Sequence, residues 1–246
     1  MMTTCVTTFS KDGYELYGHR MIKTWLKYWP TDFKLHVYTE GYTLTEIDPR
    51  LTSIELETAC PDIVAFKNNS LKMVEQNPNE KRFKHKIFKT VKWCHKVYAM
   101  KHALSVNDDY LIFLDGDTYT TQTIAGNIPN LLVGNDLFAV HFENLPNGLH
   151  FETGLIVFNL SHSQTAWLRD ILTTAYDSLD IYTMKKTWDG YWFAHLYEKY
   201  KLPVHNLAKE RSGVFGNPLI HGALVHDVGS RKYTRAGYNE FTGRKK

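Results

Sequence analysis

Leu111–Thr120 reads LIFLDGDTYT, an apolar run that breaks into Asp115-Gly116-Asp117. Carboxylates at i and i+2 of an extended segment project to one side. Asp115 and Asp117 can therefore grip a single hard cation through oxygen. Without a cation such crowding is costly, so the bland alternative has both acids splayed into solvent. Gly116 between them allows close backbone approach to whatever the cation holds. A strand ending in two acids also fits the carboxyl-end switch point where α/β sheets place their ligands.

Composition sets the outer bounds. With 246 residues, 43% hydrophobic and 22% charged, the chain suits a soluble globular fold with a full core. Its 15 Tyr and 6 Trp serve either a core or a cleft for flat or sugar-like ligands. No stretch approaches the roughly 18 apolar residues of a membrane span. The opening MMTTCVTTFSKDGYE lacks a basic-then-apolar signal pattern. Cys5, Cys60 and Cys94 are odd in number and widely spaced, which suits reduced thiols in a cytoplasmic compartment.

The net charge of +3 is unevenly laid out. Lys81 to Asn107 carries +8 with no acid, the segment from Arg231 carries +5, and the rest carries −10. Two basic segments on an acidic body point to an anionic partner.

Along the chain, strands are predicted at Thr3–Phe9, Phe33–Tyr38, Ser53–Leu56, Tyr110–Leu114, Asp136–Phe142 and Gly154–Leu160. Helices are predicted over Tyr14–Trp29, Asp62–Gln76, Phe83–Ser105 and Trp188–Tyr200, with another from Ser161 to about Asp177. In the third of these, Phe83, Ile87, Val91, Cys94 and Tyr98 form one apolar stripe. His85, Lys89, Lys92 and Lys96 lie on nearly the opposite face, as a solvated face or a phosphate-facing surface. Alternating strands and helices imply an α/β fold with a mainly parallel sheet covered on both faces.

A second motif follows Ala223–Val225: His226-Asp227-Val228-Gly229-Ser230-Arg231-Lys232. Read as HxxGxxK, it offers an imidazole, a glycine for close approach and a cationic tip. An imidazole joining two carboxylates makes a mixed nitrogen and oxygen site suited to Mn²⁺. Lys232, with Arg231, can neutralise a diphosphate held there. Glu152 and Asp189, each beside aromatic residues, are the remaining acids placed to do chemistry on a sugar or to cap a helix.

These motifs carry a resemblance. The chain resembles GT-A-fold nucleotide-sugar glycosyltransferases, close in layout to the retaining family 8 enzymes and phage-type relatives. The likeness runs through VTTFSKDGYELYGHRMI, LHVYTE, WCHKVYAMKHAL, the strand with DGD, FETGLIVFNL, WDGYWF and HDVGSRK. It implies one GT-A (Rossmann-like) domain over 1–246, with a donor-binding part at about 1–120. Acceptor and sugar contacts, with the C-terminal diphosphate loop, would then occupy about 121–246. It assigns Asp115, Asp117 and His226 to Mn²⁺ (or Mg²⁺), and Gly229 and Lys232 to the donor diphosphate. Thr7, Thr8 and Phe9 fall where the base and ribose of the donor bind, with Lys96 as a further donor contact and Glu152 and Asp189 as catalytic acids.

Two positions depart from the family pattern. Tyr233-Thr234 stands in place of Pro-Trp, and FETG puts Glu152 where an Asn is usual. The implied donor is a nucleotide-sugar of uridine type. The acceptor is a saccharide such as lipopolysaccharide, or a hydroxymethylated base in phage DNA, which would place the enzyme in the host cytoplasm. A nucleotidyltransferase acting on sugar phosphates shares the same metal–diphosphate logic. A haloacid-dehalogenase-type phosphatase fits less well, because Tyr119 stands where that motif has Thr or Val. A non-catalytic nucleic-acid-binding module would use the basic stripe but not DxD and HxxGxxK together.

Overall fold

The computed structural model describes residues 2–145, 148–208 and 214–227. β1 (Thr3–Ser10) leads into a helical turn, α1 (Lys11–Gly13), a π-helical turn (Tyr14–Gly18) and α2 (His19–Tyr28). Then come β2 (Lys34–Glu40), β3 (Leu51–Glu55), the short α3 (Leu56–Ala59), α4 (Asp62–Gln76) and the long α5 (Lys81–Ala103). β4 (Tyr110–Leu114), β5 (Thr118–Thr120), α6 (Ile128–Val133), β6 (Phe138–Leu145) and β7 (Gly148–Asn159) follow. Next are α7 (Thr165–Ile171), α8 (Thr174–Asp177), α9 (Asp189–Tyr200), β8 (Val204–Asn206) and β9 (Leu224–His226).

Seven strands form one sheet in the order β3-β2-β1-β4-β7-β6-β8. β7 alone runs against the others, so the sheet is mainly parallel as expected. Leu111 and Phe113 of β4 face a core built with α4, α5, α8 and α9, while Ile112 and Leu114 face one built with α2 and α6. All four are at most 1% exposed, which is why LIFL reads as an unbroken apolar run.

From β1 the chain moves outward to β2 and β3, then returns to the other side of β1 as β4. The gap beyond the carboxyl ends of β1 and β4 is thus the topological switch point, and Asp115 is the first residue past it. Phe9, near the end of β1, lies against Gly116. A Cβ at Gly116 would stand 2.5 Å from the Phe9 ring. The missing side chain at this turn therefore makes room for a buried ring.

Two expectations are corrected. The strand expected from Gly154 begins at Gly148, because Gly148 to Glu152 also pair with β6, Phe142 opposite Phe151 and His141 opposite Glu152. Its polar residues mask a strand that ends in an apolar run. The single helix expected from Ser161 is two, α7 and α8. Thr173 interrupts it: its buried hydroxyl donates to Asp177 at 2.7 Å and accepts from Lys101 at 2.7 Å.

Gly116→Ala is expected to cost about 1–3 kcal/mol through overpacking against Phe9. A thermal melt that leaves Tm at the wild-type value overturns this account.

Candidate active site

Asp115, Gly116 and Asp117 form the tight connection between β4 and β5, a turn closed by Thr118 N–H donating to the Asp115 carbonyl at 2.9 Å. β5 pairs antiparallel with β9, which puts Thr118 opposite His226, and Asp227 N–H donates to the Asp117 carbonyl at 3.1 Å. This ribbon brings the imidazole to the two acids. His226 Nε2 lies 2.9 Å from Asp117 Oδ1 and 3.6 Å from Asp115 Oδ2. Its Nδ1 lies 3.7 Å from Glu152 Oε1. One donor atom each from Asp115, Asp117 and His226 falls within 4.8 Å of the others.

The donor set fits a divalent cation. Two carboxylates and an imidazole are crowded together. Burial pushes the Asp115 carboxyl up against the pull of Lys96, and the charge of Asp117 pushes the same way as burial. Burial also raises Glu152, against the attraction of His226. Burial would lower His226, but its hydrogen bond to Asp117 and the nearby acids outweigh that and raise it. A divalent cation held by these groups would relieve this competition.

Lys96 belongs to the interior of the site. Its Nζ is 2.8 Å from Asp115 Oδ1, 2.8 Å from Asp189 Oδ2 and 3.2 Å from Thr153 Oγ1. Thr153 Oγ1 donates to Asp189 at 2.6 Å. Burial would lower Lys96, but its two carboxylates outweigh this and raise it. Burial would likewise raise Asp189, yet Lys96 and Thr153 hold its carboxyl below the usual value. Asp189 opens α9, and its side chain serves this bridge. A Cβ at Gly190 would meet the Phe151 carbonyl at 2.0 Å, so only glycine lets α9 dock this closely on β7.

A cleft of 270 Å³ runs from Asp115–Asp117 and Lys96 toward Thr8, Glu40 and His95. Glu40 accepts from Thr8 Oγ1 at 3.2 Å and lies 3.0 Å from His95 Nδ1. Thr8 lines this cleft, whereas Thr7 and Phe9 are buried, Phe9 acting as the seat for Gly116. Gly229 and Lys232 lie outside the described residues. A larger hollow of 600 Å³ on the outer side of α2 contains none of the cation cluster. Arg50 there is engaged with the carbonyls of Leu26, Trp29 and Pro30.

The structure thus gathers Asp115, Asp117, His226, Glu152, Asp189 and Lys96 into one site. Sequence reasoning missed Thr153, Glu40 and His95. Thr153 sits in the FETG segment beside Glu152, and alternation from Phe151 is the signal that places it with the buried face. Glu40 and His95 carry no local signal.

No protein-family model and no curated protein matches this chain. Solved structures do. The galactosyltransferase LgtC, crystallised with donor and acceptor sugar analogues, matches over 98% of this chain and 95% of its own, with TM-score 0.53 and 12% identity. An active-site mutant of LgtC gives TM-score 0.56 at 15% identity, over 98% and 94% of the two chains. The glycosyltransferase GlyE of Streptococcus pneumoniae gives 0.54 at 12% identity, over 99% of this chain and 61% of its own. At these identities the likeness is one of fold: the α/β, GT-A (Rossmann-like) class.

Lys96→Met strips two buried carboxylates of their shared cation and is expected to cost about 3–5 kcal/mol at neutral pH. Asp189, whose carboxyl is held low in the folded state, contributes stability above its unfolded pKa that is lost as pH falls. The gap between wild type and variant should therefore narrow on acidification through the carboxylate range. Urea unfolding at several pH values measures it, and a gap that widens toward acid overturns the assignment.

Proposed function

We propose that this chain is a metal-dependent glycosyltransferase that moves a sugar from a nucleotide-sugar, of uridine type by family resemblance, to a saccharide hydroxyl. The observation that carries the reading is the Asp115–Asp117–His226 cluster, whose two aspartates line a cleft at the switch point. The GT-A fold shared with LgtC and GlyE supports it.

Asp115, Asp117 and His226 would hold Mn²⁺ or Mg²⁺. When bound, such a cation neutralises charge on the diphosphate oxygens of the departing nucleotide. The cleft from Thr8 to Glu40 receives the nucleoside portion. Glu152 and Asp189 divide the remaining work by environment. Asp189, kept ionised by Lys96, is suited to hold sugar hydroxyls or face positive charge developing at the anomeric carbon. Glu152, with a raised proton affinity, is suited to receive a proton from the acceptor hydroxyl. Lys96 is committed to the two aspartates, so its contribution to donor binding is to keep their charges in place. Gly229 and Lys232 complete the diphosphate site in this reading.

The test is incubation with UDP-sugars, Mn²⁺ and candidate acceptors, with product mass spectrometry and assay of released nucleoside diphosphate. Asp117→Asn is expected to lower turnover about a hundredfold or more. Turnover equal to wild type removes the metal assignment. Pyrophosphate release from a nucleoside triphosphate would instead make the chain a nucleotidyltransferase. Transfer to hydroxymethylated DNA in place of glycans would move the acceptor to nucleic acid.

A further inference from the structure

Arg20 and Asp227 form a buried ion pair that the chemistry above does not use. Asp227 directly follows His226 and is wholly buried, and its Oδ2 accepts from the guanidinium of Arg20, itself 6% exposed. The same guanidinium lies 4.0 Å over the Tyr119 ring. Tyr119 is the middle residue of β5 and Asp227 the first past β9, so one side chain of α2 holds both strands of the ribbon. Thr24, four residues on in α2, adds a second tie: its Oγ1 accepts from Thr120 N–H at 3.1 Å and donates to the Arg20 carbonyl at 2.9 Å.

A two-stranded ribbon of three-residue strands is marginal on its own. A buried ion pair adds little net stability over an apolar pair of the same volume, but it penalises every arrangement that leaves either charge unpaired. What the pair supplies is therefore placement. Adjacent residues of extended backbone project to opposite sides, so drawing Asp227 toward α2 turns His226 toward Asp115 and Asp117. We propose that Arg20 and Asp227 are positioning residues: together they set the approach of His226 to the two aspartates, and Arg20 keeps the Asp227 carboxylate out of the cation cluster. This rests on the metal-site reading of Asp115, Asp117 and His226.

The test measures Mn²⁺ affinity of the full chain by electron paramagnetic resonance of free Mn²⁺, alongside Tm. Arg20→Lys and Asp227→Glu retain both charges while altering reach. Each is expected to fold and to bind Mn²⁺ about tenfold more weakly. The double variant Arg20→Met/Asp227→Leu removes both charges and is expected to match or exceed the wild-type Tm, with Mn²⁺ affinity still reduced. A purely structural pair would instead recover affinity together with Tm, which overturns the proposal. If the double variant does not fold, the two conservative variants decide, and wild-type affinity in both overturns it. Asp117→Asn separates the two readings. Its loss of Mn²⁺ binding beside unaffected Arg20 and Asp227 variants sinks positioning alone. A wild-type chain without Mn²⁺ binding, or Asp117→Asn binding as tightly as wild type, sinks the metal reading and the positioning with it.

Discussion

The ammonium of Lys96 is the constraint on which the site is built. It reaches from α5 beneath the end of β4 and contacts Asp115, Asp189 and Thr153, so three separate elements meet at one buried cation. Each carboxylate alone would be driven to pick up a proton by its burial. With the ammonium between them, Asp189 stays ionised and Asp115 is partly relieved. The bridge links the Asp115 side of the cleft to the start of α9, so the docking of that helix and the charge state of the site are settled by the same contacts.

This arrangement separates acids that look alike in sequence. Glu152 faces His226 and lacks an ammonium partner as near as that of Asp189, so burial raises it. Asp189 has that partner plus the Thr153 hydroxyl, so its proton affinity falls. Side chains of nearly the same chemistry thereby acquire opposite protonation tendencies within one pocket, the usual precondition for dividing acid and base work.

Much of the fold was legible because its elements follow simple periodicities. The apolar run before Asp115, the alternation read at Phe33–Tyr38 and the stripe of α5 all point to buried faces. The start of β7 was not, because Glu152 and its neighbours interrupt the hydrophobic signal where they serve the cleft. Asp115, Asp117 and His226 could be paired from motif context, although the strands that join them, β5 and β9, are too short to carry a pattern. Lys96 was legible as a residue but its setting was not: it shares a helical stripe with Lys89 and Lys92, both exposed. Only the tertiary placement of α5 against β4 tells the internal lysine from its solvated neighbours. Arg20 gave no signal, since its partner lies at the other end of the described chain.

The placement of β9 has a consequence for assembly. Every strand of the main sheet has been supplied by Asn206, whereas the third donor arrives only at His226. The sheet and the cluster thus draw on different stretches of chain, and the cluster closes a long loop through a ribbon of three-residue strands. Leu224 of the ribbon belongs to the core beneath it, so a change there bears on fold and cluster together, whereas a change at His226 falls on the cluster.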